Sequence, residues 1–181
     1  NNKATGTGNY DGGGAVYFDY EGTVSNCNFV NNTASEEGGA YMGSGTVSNC
    51  NFTDNTATYD GGAVFFNSNG EVTNCNFTNN SAGYGGAINM DSGNVTNCNF
   101  VNNSASTYGG AVYFWSQGTV TNCNFVENSA YRGGAIYINN DFKINDTYIT
   151  KSVFKNNTAS NLGGGAVFVD EGAKLNITIP I

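Results

Sequence analysis

Gly118-Thr-Val-Thr-Asn-Cys-Asn-Phe125 runs on through Val126-Glu-Asn-Ser-Ala130 into Tyr131-Arg-Gly-Gly-Ala-Ile-Tyr-Ile138. This unit decides the fold, because most of the chain is a variation on it. Its Asn-Cys-Asn-Phe core occurs five times, with the cysteines at Cys27, Cys50, Cys75, Cys98 and Cys123, spaced 23, 25, 23 and 25 residues apart. A period of about 24 that tolerates a residue or two marks a solenoid, whose repeats bury their apolar faces only against their neighbours. Function is therefore to be sought in surface columns that recur from coil to coil.

Two runs in the unit alternate as strands, with side chains of one face at every second position. In the first, Cys123 and Phe125 share a face opposite Asn124. Phe29, Phe52, Phe77, Phe100, Phe125 and Phe154 then form one column, which reads with the cysteines as a core ladder. In the second run, Val16, Tyr41, Val64, Ile88, Val112, Ile136 and Val167 read as inward. So do Phe18, Gly43, Phe66, Met90, Phe114, Ile138 and Val169. Between them, Tyr17, Met42, Phe65, Asn89, Tyr113, Tyr137 and Phe168 read as outward, an assignment that Asn89 supports. The strands are separated by Gly-Gly, Asn-Asn and Asn-Ser pairs, residues that tolerate left-handed corners. The single proline, Pro180, interrupts nothing. With no helical periodicity anywhere, the coil is strands and corners only, a parallel β-helix. Asn26 to Asn122 and Asn32 to Asn157 stack as two further columns and predict amide ladders along the axis.

Seven alanines from Ala15 to Ala166 predict seven turns, with residues 1–181 forming a single solenoid domain. In the sixth turn residues 141–147 are an insertion and Ser152 takes the place of cysteine; in the seventh, Ile177 falls in the cysteine column and Ile179 in the phenylalanine column. Asn1-Asn2-Lys3-Ala4 matches Asn31-Asn32-Thr33-Ala34, so the chain opens in mid-repeat and reads as a processed part or segment of a longer secreted protein.

Charged residues make up 11% of the chain, against about 25% in typical globular proteins. The net charge is −8 and Arg132 is the only arginine, which argues against nucleic acid and against an anionic membrane surface. No run of ~18 apolar residues is present to span a membrane.

The candidate sites follow from these columns. The cysteines lack Cys-x-x-Cys spacing and there is no histidine, so zinc and iron–sulfur chemistry are poorly supported. Five is also an odd number for disulfides, and a ladder of small buried thiols is the expectation. Tyr17, Phe65, Tyr113, Tyr137 and Phe168 offer flat rings along one outer face, able to stack on sugars or on a partner protein. Tyr59, Tyr84, Tyr108 and Tyr131 add rings in the turns before Gly-Gly. Asp11, Glu36, Glu37 and Asp60 bring carboxylates together in successive turns, the oxygen chemistry that suits calcium; no other cofactor is expected. Thr23-Val-Ser25, Thr46-Val-Ser48 and Thr119-Val-Thr121 begin a Thr-x-Thr array, but Glu71, Asn94 and Tyr148 break its column and exclude a lattice-matched ice surface. Asn-x-Ser/Thr sequons stand at Asn31, Asn51, Asn76, Asn79, Asn94, Asn102, Asn145, Asn156 and Asn176. Lyase chemistry wants a basic proton acceptor and hydrolysis wants carboxylates facing across a cleft. Neither set is evident, so an enzyme is not expected.

The Phe-x-x-Asn spacing (Phe29 to Asn32, Phe52 to Asn55, Phe77 to Asn80) together with the repeated Gly-Gly-Ala-Val/Ile resembles adhesin-like surface proteins of methanogenic archaea. It is also similar to the repeats of chlamydial polymorphic outer-membrane proteins. The resemblance covers essentially the whole chain and implies a right-handed β-helix, secretion and an extracellular, cell-surface role. The expected function is a non-catalytic structural or adhesive rod, whose partners are copies of itself, other surface proteins or glycans. A filament built by end-to-end stacking and a polysaccharide-binding or polysaccharide-degrading protein are the alternatives.

Overall fold

Among the described residues every strand pairs in parallel with the strand about one repeat away. The computed structural model describes residues 1–6, 12–139, 146–161 and 163–178, and among them there are strands and corners but no helix. No helix is therefore long and apolar enough to cross a membrane.

Three sheets wrap the axis. One stacks seven short strands from Lys3–Ala4 to Thr158–Ala159; a second stacks six, from Asn28–Val30 to Val153–Lys155. The third begins with five long strands, Val16–Ser25, Ala40–Ser48, Val64–Thr73, Ile88–Thr96 and Val112–Thr121. In the sixth coil this strand is split into Ile136–Ile138 and Asp146–Thr150. The six strands of the second sheet make six complete coils and a partial seventh, one fewer than the seven whole turns expected.

Most corners are made by residues that accept positive φ at small cost, although Glu127 and Lys151 also hold it, at φ 59° and 51°. Asn26, Asn49, Asn74, Asn97 and Asn122 lie at φ 53–56°, and Asn31, Asn79, Asn102 and Asn156 at 54–57°. Glycine makes the third corner: at Gly61, with φ 55°, a Cβ would sit 2.2 Å from the carbonyl oxygen of Val64.

Inside, the phenylalanines stack with ring centroids 4.7–5.0 Å apart and interplanar angles of 2–6° from Phe29 to Phe154. That distance is the spacing of hydrogen-bonded strands, so the backbone ladder sets the ring ladder. Val64, Phe66, Ile88, Met90, Val112, Phe114, Ile136 and Ile138 join the same core.

Two readings of register need correction. Tyr17 pairs with Tyr41 and Tyr41 with Phe65, while Met42 pairs with Phe18 and Phe66. In register, Ala40 therefore stands at the place expected for Tyr41, Met42 at that expected for Gly43, and Tyr41 at that expected for Met42. The reason is one residue fewer between Gly38 and Met42 than between Gly61 and Phe66. Ile177 pairs with Ile149, which pairs with Val120, so it continues the valine column and not the cysteine column. Ile179 lies outside the described residues.

Candidate functional site

The cysteine column does more than fill space. All five cysteines are free; Cys50, Cys75, Cys98 and Cys123 are buried, and Cys27, in the first coil, is exposed. Each buried sulfur donates to the carbonyl two residues back, at 3.1–3.3 Å. Cys75, Cys98 and Cys123 also accept the backbone N–H of the cysteine one coil earlier, at 3.4–3.5 Å. Ser152 does the same with its hydroxyl, taking the Cys123 N–H at 3.1 Å and donating to the Thr150 carbonyl at 3.0 Å. The replacement of Cys by Ser in the sixth coil thus conserves a hydrogen-bond role that the sequence reading, centred on apolar packing, had missed. Contact with Cys123 and Cys75, together with burial, pushes the Cys98 thiol above its ordinary range.

The outward aromatic column is where expected, on the side of the sheet away from the core, but it is roofed over. Tyr113 and Tyr137 are each 2% exposed and Phe65 7%. Tyr84 packs edge-on against Tyr113 (centroids 5.6 Å apart), Tyr108 stacks on Tyr137 (4.4 Å), and Trp115 closes on Tyr113 (5.0 Å). Phe168 stacks on Tyr137 at 5.0 Å, with the Arg132 guanidinium 5.4 Å from its ring centroid. The Tyr137 hydroxyl donates to Asp170 at 3.0 Å, and burial and that carboxylate push the phenol up. These rings form a second, smaller core outside the sheet. The expectation of a continuous face of sugar-stacking rings is corrected accordingly: burial stabilises Phe65, Tyr113 and Tyr137 by the ~25 cal/mol per Å² of apolar surface removed from water and leaves these three no open face, while Phe168 is half-buried. Tyr17 is exposed, as are Tyr20, Tyr59, Tyr131 and Tyr148.

The acidic turn is also partly buried. Glu37 and Asp60 are paired in successive coils by a backbone bridge. Burial, with Asp60 and Glu36 adding repulsion, raises Glu37 from 4.5 to about 7; its Oε2 is buried without a partner. Asp60 is raised from 3.8 to about 6 by burial and by Glu36, although it accepts from the Nδ2 of fully buried Asn89 at 2.5 Å. Asp11 lies outside the described residues. Among those described, no three Asp, Glu, Cys or His side chains are grouped to hold a metal ion.

The sequons divide by geometry. Asn31, Asn51, Asn76, Asn79, Asn102, Asn156 and Asn176 are exposed, Asn94 is half-buried and donates to Glu71, and Asn145 is outside the described residues.

Two recesses open on the long-strand sheet. One, of about 640 Å³, is lined by Asn69, Gly93, Asn94, Gln117, Thr119 and Tyr148, with Asp146 and Gly118. The other, of about 260 Å³, has Asp60, Phe65, Asn67, Asp91 and Trp115 on its walls. Asp91 accepts from the Ser116 hydroxyl at 2.9 Å. Glu71, Asn94 and Tyr148, which break the threonine column, are therefore not random interruptions: two of the three line the larger recess.

The sequence matches the family described as right handed beta helix region over residues 1–147, and the chain belongs to that family. No curated protein and no solved structure matches it.

Proposed function

We propose that this right-handed β-helix is a non-catalytic, extracellular module giving a cell-surface protein a rigid, adhesive rod. The continuity of its inner ladders carries the reading. The phenylalanine column from Phe29 to Phe154 and the asparagine column from Asn32 to Asn157 run unbroken, so successive coils differ mainly in what they display outward. A stack in which each coil grips the next along several ladders is stiff, and its chemistry lies on its surface. The low charge, the amide-rich corners and seven exposed sequons suit an aqueous, glycosylated setting. The resemblance to archaeal adhesin-like surface proteins supports the same role, with copies of itself, other surface proteins or glycans as partners. Antibodies against the chain, applied to intact cells of the organism that makes it, test the proposal. Labelling of intact cells is expected; labelling only after permeabilisation overturns it.

A second reading, action on polysaccharide, is favoured by Asp60 and Asp91 facing one recess beside Trp115. A carboxyl raised to about 6 is suited to act as a general acid. New reducing ends released from polysaccharide by the wild type and not by Asp60→Asn would replace the non-catalytic reading with this one.

A further inference from the structure

The alternation of 23- and 25-residue spacings does physical work at one corner. Between the inward ring or methionine and the next glycine, the coils carry Asn67-Ser68-Asn69, then Asp91-Ser92, then Trp115-Ser116-Gln117. The short coil is flanked by two longer ones, and the pairing register shifts there on both sides, with Ser92 opposite both Asn69 and Gln117. A missing residue between two bulges leaves a notch, walled by Asn69 and Gln117 and floored by Gly93. Gly93 cannot be replaced without strain: at φ 141°, its Cβ would meet the Gly70 carbonyl oxygen at 2.0 Å. Asn94, Thr119 and Tyr148 extend the notch along one column, in register from coil to coil.

We infer that this notch is a binding subsite for a neutral oligosaccharide. Its volume, about 640 Å³, falls within the ~300–1,000 Å³ of small-molecule clefts. The side chains of Asn69, Asn94, Gln117 and Thr119 supply paired donors and acceptors, the complement of a polyol. Tyr148, 46% exposed, offers a ring for the apolar face of a pyranose. Among the described residues no lysine or arginine lines the notch, and Asp146 adds negative charge, which disfavours uronates, sulfates and phosphates. A peptide is disfavoured too, because the strands beneath are paired on both sides and the tyrosine is the one large apolar surface. The inference rests on the adhesive reading and gives it a ligand class.

The test is titration of the purified chain with neutral glucan, mannan and galactan oligosaccharides, and with polygalacturonate and a sulfated glycan in parallel. Saturable binding to at least one neutral series is expected. Tyr148→Ala should weaken it about tenfold or more, the loss of one central anchor, while Tyr148→Phe keeps most of it. Gln117→Ala, on the half-buried bulge, is the second variant should Tyr148→Ala fail to give the wild-type melting curve, and it too should weaken binding. Binding to no neutral glycan, to anionic ones only, or undiminished in both alanine variants overturns the inference. None of these results bears on cell-surface labelling, which tests the broader role separately.

Discussion

Asn76 and Asn80 lie four residues apart in one coil and carry the same amide, hydrogen-bonded along the same axis. Asn76 donates to Asn51 at 2.8 Å and accepts from Asn99 at 2.9 Å on the exposed outer face. Asn80 is fully buried. Its Oδ1 takes both the backbone N–H and the Nδ2 of Asn55 (3.0 and 2.9 Å), and its own Nδ2 donates to the Phe52 carbonyl and to Asn103, each at 3.0 Å. The bonds match in length; the alternatives open to their partners do not. Around Asn76 water replaces whatever is lost, whereas around Asn80 nothing can. The difference teaches that a ladder stabilises through the polar groups it prevents from being buried unpaired, and not through its count of bonds.

The sharpest way to break the comparison is Asn80→Ala. It leaves the Asn55 backbone N–H and one N–H of the Asn55 amide without an acceptor in the core, the other staying on the Phe29 carbonyl, and takes a donor from the Phe52 carbonyl, at a cost of about 3–5 kcal/mol. Urea unfolding measures it. A loss under about 1 kcal/mol would mean that water enters the coil at this corner.

Cys98→Ala is the next step down. It leaves the Cys75 N–H without its sulfur acceptor and costs about 1–2 kcal/mol. Cys98→Ser, which reproduces what Ser152 does in the sixth coil, should cost clearly less. Equal losses for the two variants in the same unfolding assay would return the column to plain apolar packing.

Glu37 shows a stack of the opposite sign, because the coil above brings another carboxylate. Its folded value of about 7 exceeds its ordinary 4.5, so the folded chain holds a proton that the unfolded chain has released. The contribution of Glu37 to stability is therefore full below pH 4.5 and is lost as pH rises from there through about 7. The melting temperature of the wild type should fall relative to that of Glu37→Gln across this window and run parallel to it above. Curves parallel throughout would show that Glu37 is solvated.

Much of this was legible beforehand. The period came from five cysteines, and the core column came from six phenylalanines that occupy one place in every coil. The buried asparagine column was visible as a repeat, since its members follow each phenylalanine by three residues. What eluded the sequence depends on how coils of unequal length lie on one another. Losing one residue after Gly38 shifts the pairing of Tyr41 by one place along the strand. The roof over Tyr113 and Tyr137 is built by Tyr84 and Tyr108, which come close only once neighbouring coils are superposed. The notch beside Tyr148 arises from one of the two residues by which neighbouring repeats differ, a difference that first reads as mere tolerance in the period.

The smallest effect belongs to the outer ladder. Asn76→Ala removes two amide hydrogen bonds as short as any in the inner column, and it should still change stability by no more than about 0.5 kcal/mol. Asn51 loses a donor and Asn99 an acceptor, but both are exposed and exchange the lost contact for water. The backbone is not strained by the change either, because position 76 lies in the strand Asn76–Thr78 and not at a positive-φ corner. Unfolding of the unglycosylated chain isolates the amide from any sugar at this sequon. A loss above about 1.5 kcal/mol would require the exposed amides to polarise one another along the column strongly enough to outcompete water. In that event burial would no longer separate the two ladders, and cooperativity along the axis would have to take its place.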